Sequence, residues 1–147
     1  MGYIDSSFQS DHDDSKSVSS YVFIMNGVIC WKSFKQHTVA DSVCEAKYVA
    51  ASDAAKKAVW LKKFITELGV VPSIDGPILL YCNSTRAIAQ AKKPKFHYRT
   101  KHILRRYHLV REIMDRGDVE LKKIDKKENL TDPFTNTLEI KEFDDYK

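Results

Sequence analysis

The chain has 147 residues, 43% apolar and 30% charged, with a formal net charge of +4. That is about one domain's worth of sequence, enough to bury a core without staples. Three cysteines, Cys30, Cys44 and Cys82, have neither CxxC spacing nor an even count, which argues against a disulfide framework or zinc finger and for buried free thiols in a reducing compartment.

The first residues show no charged region leading into an apolar stretch, and no run approaches a membrane span, so neither a signal peptide nor a transmembrane segment is expected. The expected location is intracellular, cytoplasmic or nuclear, without membrane contact. Gly2 and Ser6 fit a bare myristoylation pattern, but the same residues also read as an edge of a sheet. Residues 18–25 (VSSYVFIM) are β-branched and aromatic and predict a strand. Asn26-Gly27 is a strong hairpin signal, with residues 28–33 (VICWKS) as the return strand. Asp41 or Ser42 caps a long helix with Glu45 in capping-box position. Its apolar stripe is Val43, Ala46, Ala50, Ala54, Ala58, Leu61, Ile65 and Leu68, and Gly69 ends it. Residues 78–82 (ILLYC) form a continuous apolar run, read as a central buried strand. A short helix over 84–91, a basic loop broken by Pro94, and an amphipathic helix over 100–116 follow. The helix presents Ile103, Tyr107, Val110 and Met114 on one face. Residues 119–124 (VELKKI) alternate as a strand, 130–138 predict a last short helix, and 139–147 form an acidic tail. The expectation is an α/β domain over 1–138, with a mixed five-stranded sheet, antiparallel then parallel, flanked by helices.

Several strings in this order resemble the ribonuclease H domain of copia-type retrotransposon polyproteins. They are Gly2-Tyr3-Ile4-Asp5; Asp14-Ser15-Lys16-Ser17 with Ser20-Tyr21-Val22-Phe23; Trp31-Lys32-Ser33-Phe34-Lys35-Gln36; Glu45-Ala46-Lys47-Tyr48-Val49-Ala50; and Tyr81-Cys82-Asn83. Two more follow: Arg99-Thr100-Lys101-His102-Ile103 with Arg106-Tyr107-His108, and Leu130-Thr131-Asp132-Pro133-Phe134-Thr135. The resemblance implies a ribonuclease-H-like fold. It also implies an ancestral activity that cuts the RNA strand of an RNA–DNA hybrid, with four carboxylates holding two magnesium ions.

In this chain two of the four matching positions are not carboxylates. Asp5 matches the first and Asp132 the fourth. Lys47 stands at the second, and Asn83 at the third, where an amide keeps an oxygen but loses the charge. Helix spacing puts Lys47 on the inward stripe, whereas Glu45 lies roughly 200° around the axis and cannot substitute. The local charge becomes about −1 instead of about −4, and an ammonium there repels a cation. No two-metal catalysis and no bound cofactor are therefore expected, with Mg²⁺ needed only by a residual nuclease, and the metal-free fold gains stability.

The remaining chemistry is electrostatic. From Gly76 to Arg111 there is no acidic residue, while basic ones accumulate. Lys92, Lys93, Lys95, Arg99, Lys101, Arg105 and Arg106 are candidate nucleic-acid contacts, with Phe96, Tyr98 and Tyr107 available for stacking. His97, His102 and His108 have no zinc-site spacing and read as structural or phosphate-facing. The Asn-x-Ser/Thr matches at Asn83 and Asn129 carry little weight without secretion. The leading expectation is a catalytically inactive, free-standing retroelement derivative acting through a protein partner or as a homodimer, because a short first strand at a sheet edge can recruit another chain. The alternatives are a module that binds RNA–DNA hybrid without cleaving it, and a residual metal-dependent ribonuclease H.

Overall fold

The computed structural model describes residues 1–69, 76–92 and 101–132. The elements are β1 (Gly2–Ser7), β2 (Val18–Ile24), β3 (Val28–Lys35), α1 (Val43–Leu68), β4 (Ile78–Cys82), α2 (Thr85–Lys92), α3 (Lys101–Asp115) and β5 (Val119–Lys123), followed by a 3₁₀ turn, Lys126–Glu128. The tail 139–147, and the last helix beyond residue 132, lie outside the described residues.

One five-stranded sheet has the order β3-β2-β1-β4-β5. β1 pairs antiparallel with β2 and parallel with β4; β2 pairs antiparallel with β3, and β4 parallel with β5. The expected mixed sheet is thus present. β1, however, is its central strand, and the edges are β3 and β5. The edge reading of β1, and the recruitment argument built on it, are corrected. The parallel β1–β4 pair requires a crossover through α1, and that crossover carries β4 to the far side of β1 from the hairpin.

Register sorts the side chains. Gly2 faces Phe23 and Leu80, and Ile4 faces Tyr21 and Cys82. These residues share a sheet face because neighbours in register point the same way. With Val119 and Leu121 they form a core with Tyr48, Ala51, Ala54, Ala55, Ala58 and Leu61 of α1 and with Val110 and Ile113 of α3. A Cβ on Gly2 would lie 2.6 Å from Leu80 Cδ2 and 2.8 Å from Phe23 Cε1. Gly2 is required by close packing inside a central strand, not by an exposed modification signal.

The Ser42 side chain caps α1 by accepting from the Glu45 N–H, and Gly69 ends it in the left-handed region at φ 64°. Val43 and Leu68 are exposed at 49% and 56%, correcting their place on the inward stripe. Conversely Tyr48, Val49, Ala50 and Ala51 are all buried. The first half of α1 is enclosed on most sides because it lies across β1, β2 and β4 and also against α2 and α3, so no single stripe describes it. The small alanines allow that close approach.

Gln36, at the end of β3, is buried. Its Nε2 donates to Ser19 Oγ at 2.7 Å and to the Ala46 carbonyl at 2.9 Å, tying the hairpin to the start of α1. Among the described residues no helix is long and apolar enough to cross a membrane.

Candidate functional site

The site forms where the C-terminal ends of β1 and β4 lie side by side. Ile4 is in register with Cys82, so Asp5, inside β1, and Asn83, one residue past the end of β4, lie at the same level. α1 crosses this end of the sheet, and Lys47, in its second turn, reaches both. The Lys47 ammonium stands 3.4 Å from Asp5 Oδ1 and donates to Asn83 Oδ1 through a short hydrogen bond. The Asp5 side chain is 1% exposed and that of Lys47 is 15% exposed. The three positions therefore come together as an ion pair plus an amide.

Asp132, the fourth position, is buried and held beside β1 by a device that sequence reasoning missed. Asn129 Nδ2 donates to the Ile4 carbonyl at 2.9 Å, one residue before Asp5. Asn129 Oδ1 accepts from the Thr131 N–H at 3.1 Å and from its Oγ1 at 2.6 Å. Asn129 and Thr131 are fully buried. They hang the Asp132 segment on the strand that carries Asp5. The only sequence signal at Asn129 is a glycosylation-type tripeptide, which pointed elsewhere.

Two more lysines enter this corner. Lys123 Nζ donates to the Asn83 carbonyl at 2.6 Å and to the Ile124 carbonyl at 3.2 Å, while Lys126 Nζ lies 4.0 Å from Asp132 Oδ2. Three ammonium groups thus reach the Asp5 and Asp132 carboxylates and the Asn83 amide and carbonyl, with Asp125 and Glu128 flanking Lys126 and Lys127 in the same turn. The doublets Lys122-Lys123 and Lys126-Lys127 were visible as charge, but strand alternation gave no reason to aim them at Asn83 and Asp132. Burial pushes the Cys82 thiol up from its ordinary value; Lys47 and Lys123 pull it down and Asp5 pushes it up, so these charges all act on this strand end.

Glu45 does not enter the site. Burial pushes its carboxyl up, and it accepts from the Asp41 backbone N–H at the helix start. Two magnesium ions need hard oxygen ligands and surrounding negative charge. Here the Lys47 ammonium fills the space between the Asp5 and Asn83 oxygens, and the donor set does not fit them. Among the described residues, no group of three or more His, Cys, Asp and Glu comes together that could hold a metal ion.

The expected nucleic-acid contacts divide. Lys92 and Arg105 are exposed. Arg106 is half-buried and its Nη1 donates to Asp53 Oδ1 of α1 at 3.1 Å, so it serves to join α3 to α1. Lys101 opens α3, with its side chain outside the described residues. Lys93, Lys95 and Arg99 lie outside them altogether, as do Phe96, His97 and Tyr98; His108 is exposed on α3. Cys82 is buried as expected, whereas Cys30 and Cys44 are only partly so.

No family model matches the chain. Over 144 residues it is 38% identical to the Retrovirus-related Pol polyprotein from transposon TNT 1-94 of Nicotiana tabacum, covering 97% of this chain and 11% of that protein. Over 137 residues it is 31% identical to the Pol polyprotein from transposon RE2 of Arabidopsis thaliana, covering 92% of this chain and 9% of that protein. The chain thus spans about a tenth of the length of these relatives. Its fold is similar to LC11-RNase H1, solved in complex with an RNA/DNA hybrid, with a TM-score of 0.59, 13% identity, and coverage of 88% of this chain and 87% of that one.

Proposed function

The chain is a ribonuclease H domain of the kind found in copia-type retrotransposon Pol polyproteins, and from that premise we propose that it binds nucleic acid, with RNA–DNA hybrid as the first ligand to test, and does not cleave it. The observation that carries this reading is the Lys47 ammonium held between Asp5 and Asn83. Two-metal hydrolysis needs cations at that place, to activate water and to stabilise the leaving oxygen. An ammonium cannot lower the pKa of a bound water as a metal ion does, and it repels an incoming divalent ion. It can still attract a phosphodiester, as can the exposed Lys122, Lys127, Lys92 and Arg105. Binding through a protein partner or homodimer was argued from β1 as an edge strand, and its central position withdraws that support.

The test is a hybrid-cleavage and hybrid-binding assay on the parent chain and on the double variant Lys47→Glu/Asn83→Asp. The parent is expected to bind hybrid equally well with Mg²⁺ and with EDTA, and to leave it intact. The double variant regains metal-dependent cleavage. Metal-stimulated cutting by the parent would overturn the reading.

A further inference from the structure

The outer flank of α1 carries an apolar ridge that stands exposed among the described residues. Trp60, Phe64 and Leu68 are four residues apart and so line one helix face. They are exposed at 51%, 43% and 56%, and Met25 and Ile29 of the β2–β3 hairpin at 40% and 42%. These five are nearly half of the eleven large apolar side chains exposed among the described residues. Such side chains scattered singly need no explanation, but gathered on one concave surface they mark an interaction site. Between ridge and hairpin runs a groove of about 410 Å³, continuous through Lys57 and Trp60 with a second of about 350 Å³. The Trp60 and Phe64 rings stack, with centroids 4.9 Å apart and planes 9° apart, so the ridge is a preformed platform.

Cations predominate beside the ridge, with Glu67 the exposed acid next to Phe64 and Leu68 on the same flank. Lys32, Lys56 and Lys57 line the second groove. Lys57 Nζ sits 4.1 Å from the centroid of Trp60, and Lys32 Nζ 4.6 Å from that of Phe34. The one carboxylate lining that groove, Asp53, is occupied by Arg106. A second copy of the chain would bring the same lysines against these, so like charge disfavours it. An added strand is disfavoured too. β3, the adjacent edge, has a register shift opposite Phe23/Ile24 that leaves Ile29 without a partner in the ladder, and it carries Lys32 and Lys35; bulges and lysines are devices that resist strand pairing.

We propose that this groove docks an acidic amphipathic helix of a partner protein, its apolar stripe lying on Trp60, Phe64 and Leu68 and its acidic flank on Lys32, Lys56 and Lys57. The ridge spans about 12 Å at a rise of 1.5 Å per residue, enough for roughly two turns of a partner helix. The surface lies apart from Asp5, Lys47 and Asn83, so docking there is independent of what the carboxylate corner does.

The test uses the full 147-residue chain and two designed 18-residue helical peptides with the same leucine stripe. One is flanked by glutamates, the other by lysines. Titration is followed by intrinsic fluorescence and by the indole N–H resonances of Trp31 and Trp60, the two tryptophans of the chain. The glutamate peptide is expected to saturate and bind about tenfold tighter than the lysine peptide, shifting the Trp60 resonance. Trp60→Ala should lose about tenfold in affinity, and Lys56→Glu/Lys57→Glu should invert the peptide preference. The Trp60 shift in the unaltered chain decides the matter even if a variant fails to fold. Equal affinities, no saturation, or a shift confined to Trp31 would overturn the proposal. So would concentration-dependent dimerisation of the chain alone that Trp60→Ala abolishes, since a second copy would then own the groove.

Discussion

Lys47 does two things at once: it neutralises Asp5 and it satisfies the Asn83 amide oxygen. Removing one partner of a buried ion pair leaves the other charge uncompensated, which costs far more than the pair itself contributes. Lys47→Met should therefore destabilise the domain by about 3 kcal/mol, while Asp5→Asn/Lys47→Met together should lie within about 1 kcal/mol of the parent. Urea unfolding of the parent, Lys47→Met, Asp5→Asn and the double variant checks this; additive losses would contradict the pairing. The grouping of Asp5, Lys47 and Asn83 was legible through the family resemblance, with helix spacing choosing Lys47 over Glu45. The anchoring of Asp132 was not legible. It depends on Asn129 reaching a backbone carbonyl 125 residues away, and a side chain that bonds to backbone leaves no complementary residue type to recognise.

At the scale of elements, the strands and helices followed from local pattern: Asn26-Gly27 between two β-branched runs, Ser42 before α1, Gly69 after it. The order of strands did not. Nothing in residues 2–7 says that both edges of β1 are covered, because pairing partners come from segments far along the chain. Gly2 gives a test of that central position. Gly2→Ala should lower stability by about 1–3 kcal/mol through contact with Leu80 and Phe23, whereas on an exposed edge it would be close to neutral. The β1–β2 loop offers a second test. Asp11 Oδ1 accepts from the Asp13 and Asp14 N–H groups, and Lys35 pairs with Asp11 and Asp14. The Lys35 hydrogen bond holds the Asp11 carboxyl below its ordinary 3.8, and Asp11 holds Lys35 above its ordinary 10.5. The sign is that of a depressed acid and a raised base. The contribution is full between those ordinary values, is lost as pH falls through the lowered Asp11 value, and is lost as pH rises through the raised Lys35 value. Because Lys35 is exposed and Asp11 partly so, solvent screens the pair and the effect is small. Asp11→Asn should lower the melting temperature slightly at pH 7, and the difference should vanish in strong acid; a difference that persists below the acid limb would rule out the ion pair as its source.

Across the whole molecule, the net charge of +4 understates the local field. Acidic residues gather early, where Asp11 and Asp14 are tied to Lys35, while Lys122, Lys123, Lys126 and Lys127 cluster at the end of β5 among Asp125 and Glu128. Binding to hybrid should therefore weaken steeply with salt. Each lysine that neutralises a phosphate contributes about −0.7 to −0.9 to the slope of log K against log salt. Lys122→Ala/Lys127→Ala should flatten that slope by about 1.5, and the same change with Mg²⁺ or EDTA present would fit a corner that holds no functional divalent ion. An unchanged slope would place the phosphate contacts elsewhere.

The Lys47 bridge also sets a direction on how this corner can change. Asn83→Asp alone would give the ammonium a second carboxylate and tighten the clasp, so that step is open. Lys47→Glu alone would crowd like charges into a dry pocket with no counter-ion, so that step is closed unless a divalent ion arrives with it. The two steps are thus unequal: the Lys47 bridge lets this corner gain an acid at Asn83 but resists the exchange of Lys47 itself for one.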